Sequence, residues 1–180
     1  MSVFRHFERN LAGRDFAVGD IHGHFTRLQA ALDAAGFVAE SDRLFSVGDL
    51  VDRGPESIRA LEWLDRPWFF AIQGNHEDMA VRHAFEHRLD PDVYCSNGGA
   101  WLMALPDCEQ RRVAARLGSL PLLAEIDTEY GLVGPGSRGL SVGVVGRSVR
   151  RDGEPGCATA TQGEIESRLP VVARADLCRG

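Results

Sequence analysis

At 180 residues the chain is long enough for one domain with a real buried core. Its formal net charge of -6 argues against nucleic acid or an anionic membrane as partner, since both select a basic face. Cys95, Cys108, Cys157 and Cys178 show no C-x-x-C spacing, the first ten residues are too polar for a signal peptide, and no apolar run reaches membrane-spanning length, so a cytoplasmic protein with reduced thiols is expected.

Residues 1–13 read as a polar entry segment closed by Gly13, with Phe4 and Phe7 packing back on the domain. Residues 15–18 begin a first strand, which runs into Gly19-Asp20-Ile21-His22-Gly23-His24. Leu28, Ala31, Leu32 and Ala35 then recur at helical spacing; Thr26 and Gln29 fit a capping box and Gly36 stops the helix. Residues 43–47 are apolar at alternate positions and lead into Gly48-Asp49-Leu50-Val51-Asp52-Arg53-Gly54, after which Pro55 opens a helix-like segment ending near Leu64. A third strand over 68–72 runs into Gly74-Asn75-His76-Glu77, and a helix is expected over roughly 78–87, with Glu77 and Asp78 suiting the positive end of its dipole.

This strand-loop-helix alternation predicts a right-handed parallel sheet covered by helices. Ligands of such sheets lie outside the carboxyl ends of the strands, where the three loops converge. Residues 89–106 read as a partly helical cap or crossover, 109–117 as a helix, 122–126 as a strand and 130–133 as its partner. The text then changes character. Residues 131–180 hold ten Gly and seven Arg and no Phe, Trp, Tyr or His, leaving only 140–145 as a strand and 164–169 as a short helix.

The loops carry a consistent chemistry. Asp20 and His22 have the spacing to place two ligands on one divalent ion, and Asp49 is the natural ligand to share between two ions. Two ions about 3.5–4 Å apart clamp a phosphoryl centre for in-line attack by an activated water. Arg53 suits non-transferring phosphate oxygens, and His76, oriented by Asp52, suits protonation of the departing oxygen. Singly, each residue reads as a cap or surface group; three convergent loops read as a site. His83 and His87 lie four apart, a spacing that permits a metal but better fits a solvated helix face. His24 is read as a helix-start residue or a contact behind the ligands, and His6 as surface.

In order and near spacing, the three motifs resemble the signatures of the phosphoprotein phosphatase family of metallophosphoesterases. The likeness is greatest to its small bacterial and phage serine/threonine phosphatases, and Asn97-Gly98-Gly99-Ala100-Trp101 resembles a family segment that lines the site. The resemblance implies a two-sheet α/β sandwich flanked by helices, with Asp20, His22 and Asp49 on a first metal. Asp49 and Asn75 would begin the second, Arg53 and Asn75 would bind phosphate, and His76 with Asp52 would form the general acid. It also implies manganese as the usual ion, with iron, zinc or magnesium as alternatives, and a phosphorylated protein or small phosphoester as substrate. The related diadenosine polyphosphate hydrolases, which usually lack Asp at position 52 and carry Asp where this chain has Glu77, are the alternative enzyme.

The resemblance also exposes a departure. The family adds two histidines to its second metal, the first directly after a strand like residues 130–133, where this chain has Gly134; its last histidine is His87. The expectation is therefore a single domain that is family-like over 1–133 and divergent over 134–180, as a shifted reading frame or truncated tail would make it. Its second sheet would be incomplete and its second metal site impaired. An inactive relic or binding module is the third reading.

Overall fold

In a computed structural model of the chain, residues 3–86, 89–129, 131–136, 141–149 and 155–158 are described. The three apolar runs of the first half form strands β2 (Asp15–Val18), β3 (Arg43–Ser46) and β4 (Phe69–Ala71), which make a parallel sheet in the order β2-β3-β4. Parallel pairing directs all three carboxyl ends to one edge. The crossovers are α1 (Phe25–Ala34) and α2 (Ala60–Leu64), the latter entered through a 3-10 turn at Ser57–Arg59. Phe25, Leu28 and Leu32 of α1 and Trp63 of α2 are buried with Phe16, Leu44 and Phe69 of the strands, which seats both helices on one sheet face.

Within residues 1–13, expected to be a polar entry segment, lies a strand, β1 (Phe4–Phe7), which pairs in parallel with β5 (Leu123–Thr128). Antiparallel strands β6 (Gly131–Gly136), β7 (Ser141–Val149) and β8 (Pro155–Ala158) extend that sheet to the order β1-β5-β6-β7-β8. The expected strands at 122–126, 130–133 and 140–145 are thus observed with shifted ends, whereas the expected helix at 164–169 lies outside the described residues. A second apolar cluster of Phe7, Phe45, Ile72, Ala124 and Ile126 joins the two sheets face to face, with the Phe7 and Phe45 rings edge-on at 5.0 Å.

The remaining helices follow the third loop. α3 (Asn75–Val81) starts three residues before its expected position and widens into a π-helical turn at Arg82–Glu86. The cap over 89–106 is α4 (Pro91–Tyr94), a π-helical turn at Cys95–Gly99 broken by Gly98 (φ 97°), and α5 (Ala100–Met103). α6 (Asp107–Gly118) packs on α3 and has Asp107 and Glu109 in its first turn and Arg116 in its last, as its dipole favours.

The expected Thr26–Gln29 capping box does not form. Thr26 lies inside α1, and its N–H and hydroxyl both donate to Glu56 from the loop after β3, while Gln29 donates to Asp33. These bonds hold the Glu56 carboxyl down at about 2. Among the described residues, no helix is long and apolar enough to cross a membrane.

Candidate active site

The first loop rides on the second. Ile21 and His22 donate their backbone N–H groups to the Asp49 carbonyl at 3.0 and 2.9 Å, and Gly23 donates to the Leu50 carbonyl at 2.8 Å. The third loop is tied to the second by one side chain: the fully buried Glu77 carboxylate accepts from Asp49 N (2.9 Å), Leu50 N (2.8 Å) and Gly74 N (2.8 Å). Burial, reinforced by the Asp49 charge, pushes the Glu77 carboxyl up to about 7 against those three N–H groups. The sequence shows Glu77 as a helix-start acid closing the third motif; its role as the fastener between loops needs both loops in place.

The four non-glycine residues with positive φ among those described are His22 (45°), Asp49 (51°), Asp52 (69°) and Arg53 (64°). All four were expected in the site. Left-handed backbone is unfavourable for such side chains and persists where the surroundings over-determine it.

Each imidazole has one ring nitrogen committed. His22 Nδ1 donates to the Val51 carbonyl at 3.1 Å, and His76 Nδ1 donates to Asp52 Oδ2 at 2.8 Å. Both Nε2 atoms are therefore lone-pair donors. They face the Arg53 guanidinium, whose Nη1 and Nη2 lie 2.8 and 3.2 Å from them, and the rings meet edge to face at 4.7 Å. Burial, foremost, holds His22 below its ordinary value.

Ligand atoms of His22, Asp49 and His76 all lie within 4.8 Å of one another. The exposed Asp20 carboxylate adjoins this group, with Oδ2 at 3.7 Å from His22 Nε2, and Asp49 Oδ1 accepts from the His76 backbone at 3.2 Å. Asn75 is exposed at the head of α3, next to His76. Imidazole nitrogen with carboxylate oxygen suits a borderline divalent cation, and two Nε2 lone pairs already turned to a guanidinium show that this cleft accepts positive charge. The tightest grouping thus takes in His22 and Asp49, both expected as ligands, and adds His76, expected as an acid.

Behind the His76–Asp52 pair stand Tyr94, from the segment expected as a partly helical cap, and Trp101, the last residue of the segment whose resemblance implies that it lines the site. Asp52 is fully buried; its Oδ1 accepts from Trp101 Nε1 at 2.7 Å and from the Tyr94 hydroxyl at 3.5 Å. His83 lies against the Tyr94 ring, its Nε2 3.1 Å from the Gln110 amide oxygen; its expected neighbour His87 lies outside the described residues. His24 is the N-cap of α1, and Cys95 and Cys108 are exposed free thiols.

Over residues 16–146 the sequence matches the calcineurin-like phosphoesterase family. The chain is 41% identical over 117 residues to serine/threonine-protein phosphatase 2 of Escherichia coli (strain K12), covering 63% of this chain and 53% of that protein. It is 32% identical over 123 residues to a symmetrical bis(5'-nucleosyl)-tetraphosphatase of Hamiltonella defensa, covering 66% of this chain and 42% of that one. A solved structure described as a candidate diadenosine tetraphosphatase superposes with a TM-score of 0.51 at 30% identity, covering 68% of this chain and 50% of that one. The chain spans about half the length of the curated relatives it matches.

Proposed function

We propose that this chain, which belongs to the calcineurin-like phosphoesterase family, hydrolyses phosphomonoesters, with phosphoserine or phosphothreonine in protein as its substrate class. The observation that carries the reading is the buried Asp52–His76 pair at 2.8 Å, set beside Asp49 and His22. Asp52 holds the proton of His76 on Nδ1 and fixes the orientation of the ring, so that Nε2 is the atom turned to hand a proton to a departing alkoxide. Arg53 offers a planar donor fork to phosphate oxygens on the open side of the dyad.

Asp20, His22, Asp49 and Asn75 are the proposed holders of divalent metal, manganese foremost. Such an ion supplies Lewis-acid polarisation and lowers the pKa of water. This chain's own histidines end at His87, so the Asp49–Asn75 side has fewer donors than the Asp20–His22–Asp49 side. The proposal is one tightly held ion, with residues 134–180 divergent from the family pattern. Isothermal titration with manganese should give about one tight site per chain; two equal sites would reject that stoichiometry.

The test of function is manganese-dependent turnover of p-nitrophenyl phosphate and of a phosphopeptide. Asp20→Asn should abolish it, and His76→Asn should lower kcat by about 10²–10⁴-fold. Absence of turnover by the unsubstituted chain would refute the reading. The similarity to nucleosyl tetraphosphatases favours a second reading, hydrolysis of a dinucleoside polyphosphate. A higher kcat/KM on diadenosine tetraphosphate than on the phosphopeptide would select it.

A further inference from the structure

We propose that Trp101 is a positioning residue, its indole N–H fixing the orientation in which the Asp52 carboxylate meets His76. The inference rests on the phosphatase reading for its kinetic consequence alone. Asp52 is 0% exposed, so solvent does not satisfy its oxygens. Oδ2 takes the His76 Nδ1 proton at 2.8 Å, while Oδ1 is held by Trp101 Nε1 at 2.7 Å, with the Tyr94 hydroxyl farther off at 3.5 Å. The terminal torsion of an aspartate is broad, so a carboxylate held at one oxygen alone could swing out of line with the imidazole N–H. Indole is a donor without an acceptor, so it fixes Oδ1 as an acceptor and leaves Oδ2 for the imidazole.

Trp101 belongs to none of the three loops. It reaches Asp52 because the turn before α5 is seated on the second loop. At Gly98 (φ 97°) a Cβ would collide with the Arg53 backbone nitrogen, and at Gly99 it would collide with the Tyr94 ring. The segment from Tyr94 to Trp101 thus packs on both Asp52 and Arg53, which sit consecutively in left-handed backbone. The cap braces the strained pair and orients the carboxylate.

Trp101→Phe keeps most of the ring and removes the N–H. With p-nitrophenyl phosphate and manganese, kcat should fall about 10–100-fold, the range for partners behind a reacting residue, while KM stays within about twofold. In the Asp52→Asn background the same change should lower kcat no further. The second readout is the imidazole ¹⁵N spectrum of the metal-free chain. His76 should report a single Nδ1–H tautomer in the unsubstituted protein and a mixture with Nε2–H in Trp101→Phe. An unchanged His76 spectrum overturns the proposal, as does an equal fall in kcat with and without Asp52. If the unsubstituted chain turns nothing over, the phosphatase reading fails and the spectrum still decides the role of Trp101. If Trp101→Phe does not fold, benzothienylalanine at position 101, which replaces the N–H by sulfur in the same outline, is measured in its place.

Discussion

Asp42 and Glu77 are both shut inside the molecule, 3% and 0% exposed, and each fastens two segments by accepting backbone N–H groups. They sit at opposite ends of the β2-β3-β4 sheet. Asp42, just before β3, accepts Arg14 N at 2.7 Å and Val38 N at 3.0 Å, and its other partner is the Arg14 guanidinium at 2.7 Å. Burial alone would raise its pKa, yet the Arg14 and Val38 hydrogen bonds and the guanidinium charge together hold it below the ordinary 3.8. Beside it Arg43 grips Asp15 through two bonds of 2.7 Å. Glu77 takes three N–H groups as well, but the charge facing it is the carboxylate of Asp49, and burial with that charge drives it up to about 7. The amino end neutralises its acids within the chain. The carboxyl end compounds them, which leaves a local demand for a cation.

The strongest attempt to break this contrast removes the charge that distinguishes the two ends. Asp49→Asn keeps a residue type that tolerates φ near 51° and removes only the ligand charge. Turnover of p-nitrophenyl phosphate should fall by about 10²–10³-fold, while the metal-free protein at pH 8 melts no lower than the parent, because Glu77 loses a like-charged neighbour. A clear drop in the melting temperature under chelation would show that Asp49 stabilises the fold rather than opposing it.

The first three strand-loop units were legible because each joins an apolar strand to a glycine-bounded polar loop, and parallel topology then brings the loops together. What stayed hidden depends on partners far along the chain. In β1 only Phe7 of Phe4-Arg5-His6-Phe7 is buried, so no alternation marks it; its pairing partner is β5, of which Leu123 faces Phe4 in register. Thr26 resembles a cap but is satisfied by Glu56. The resemblance implies that the segment ending at Trp101 lines the site, but its bond to Asp52 and the approach of Tyr94 were not legible, since a buried carboxylate waiting for an indole N–H leaves no local pattern. Glu77 was legible as a helix-start acid, and its side chain does accept the Gly74 N–H there; the further bonds to Asp49 and Leu50 exist only once the second loop folds back on it.

Deleting each carboxylate should sharpen the same comparison. Glu77→Ala strands three N–H groups, two of them bonded in fully buried surroundings, and should cost about 3–4 kcal/mol in urea unfolding, with turnover lost because the second and third loops part. Asp42→Ala strands N–H groups that are only partly buried, and its Arg14 side chain is 49% exposed, so water replaces much of what is removed. That change should cost about 1–2 kcal/mol and leave kcat per folded molecule unaltered. Equal losses from the two deletions would erase the distinction between the ends.

The smallest effect, and the one most particular to the contrast, is the dependence of stability on pH in the metal-free chain. Asp42 and Glu56 have folded values below their ordinary 3.8 and 4.5, about 2 for Glu56, so their contribution is complete above pH 4.5 and is lost as pH falls toward 2. Glu77 has the opposite sign: its folded value is raised from 4.5 to about 7, so the folded state holds that proton more tightly, and the stability so gained is present at low pH and lost as pH rises from 4.5 through 7. His22, lowered from 6.5, works against Glu77, since keeping it neutral costs less as pH rises toward 6.5. Between pH 5 and 7 the urea midpoint therefore reflects two opposed slopes. In Glu77→Gln the downward one is removed, and the midpoint should rise across that interval. Manganese should flatten the parent's curve in the same direction by offsetting the Asp49 charge. A Glu77→Gln midpoint that still falls between pH 5 and 7 would place the uncompensated charge elsewhere than beside Asp49.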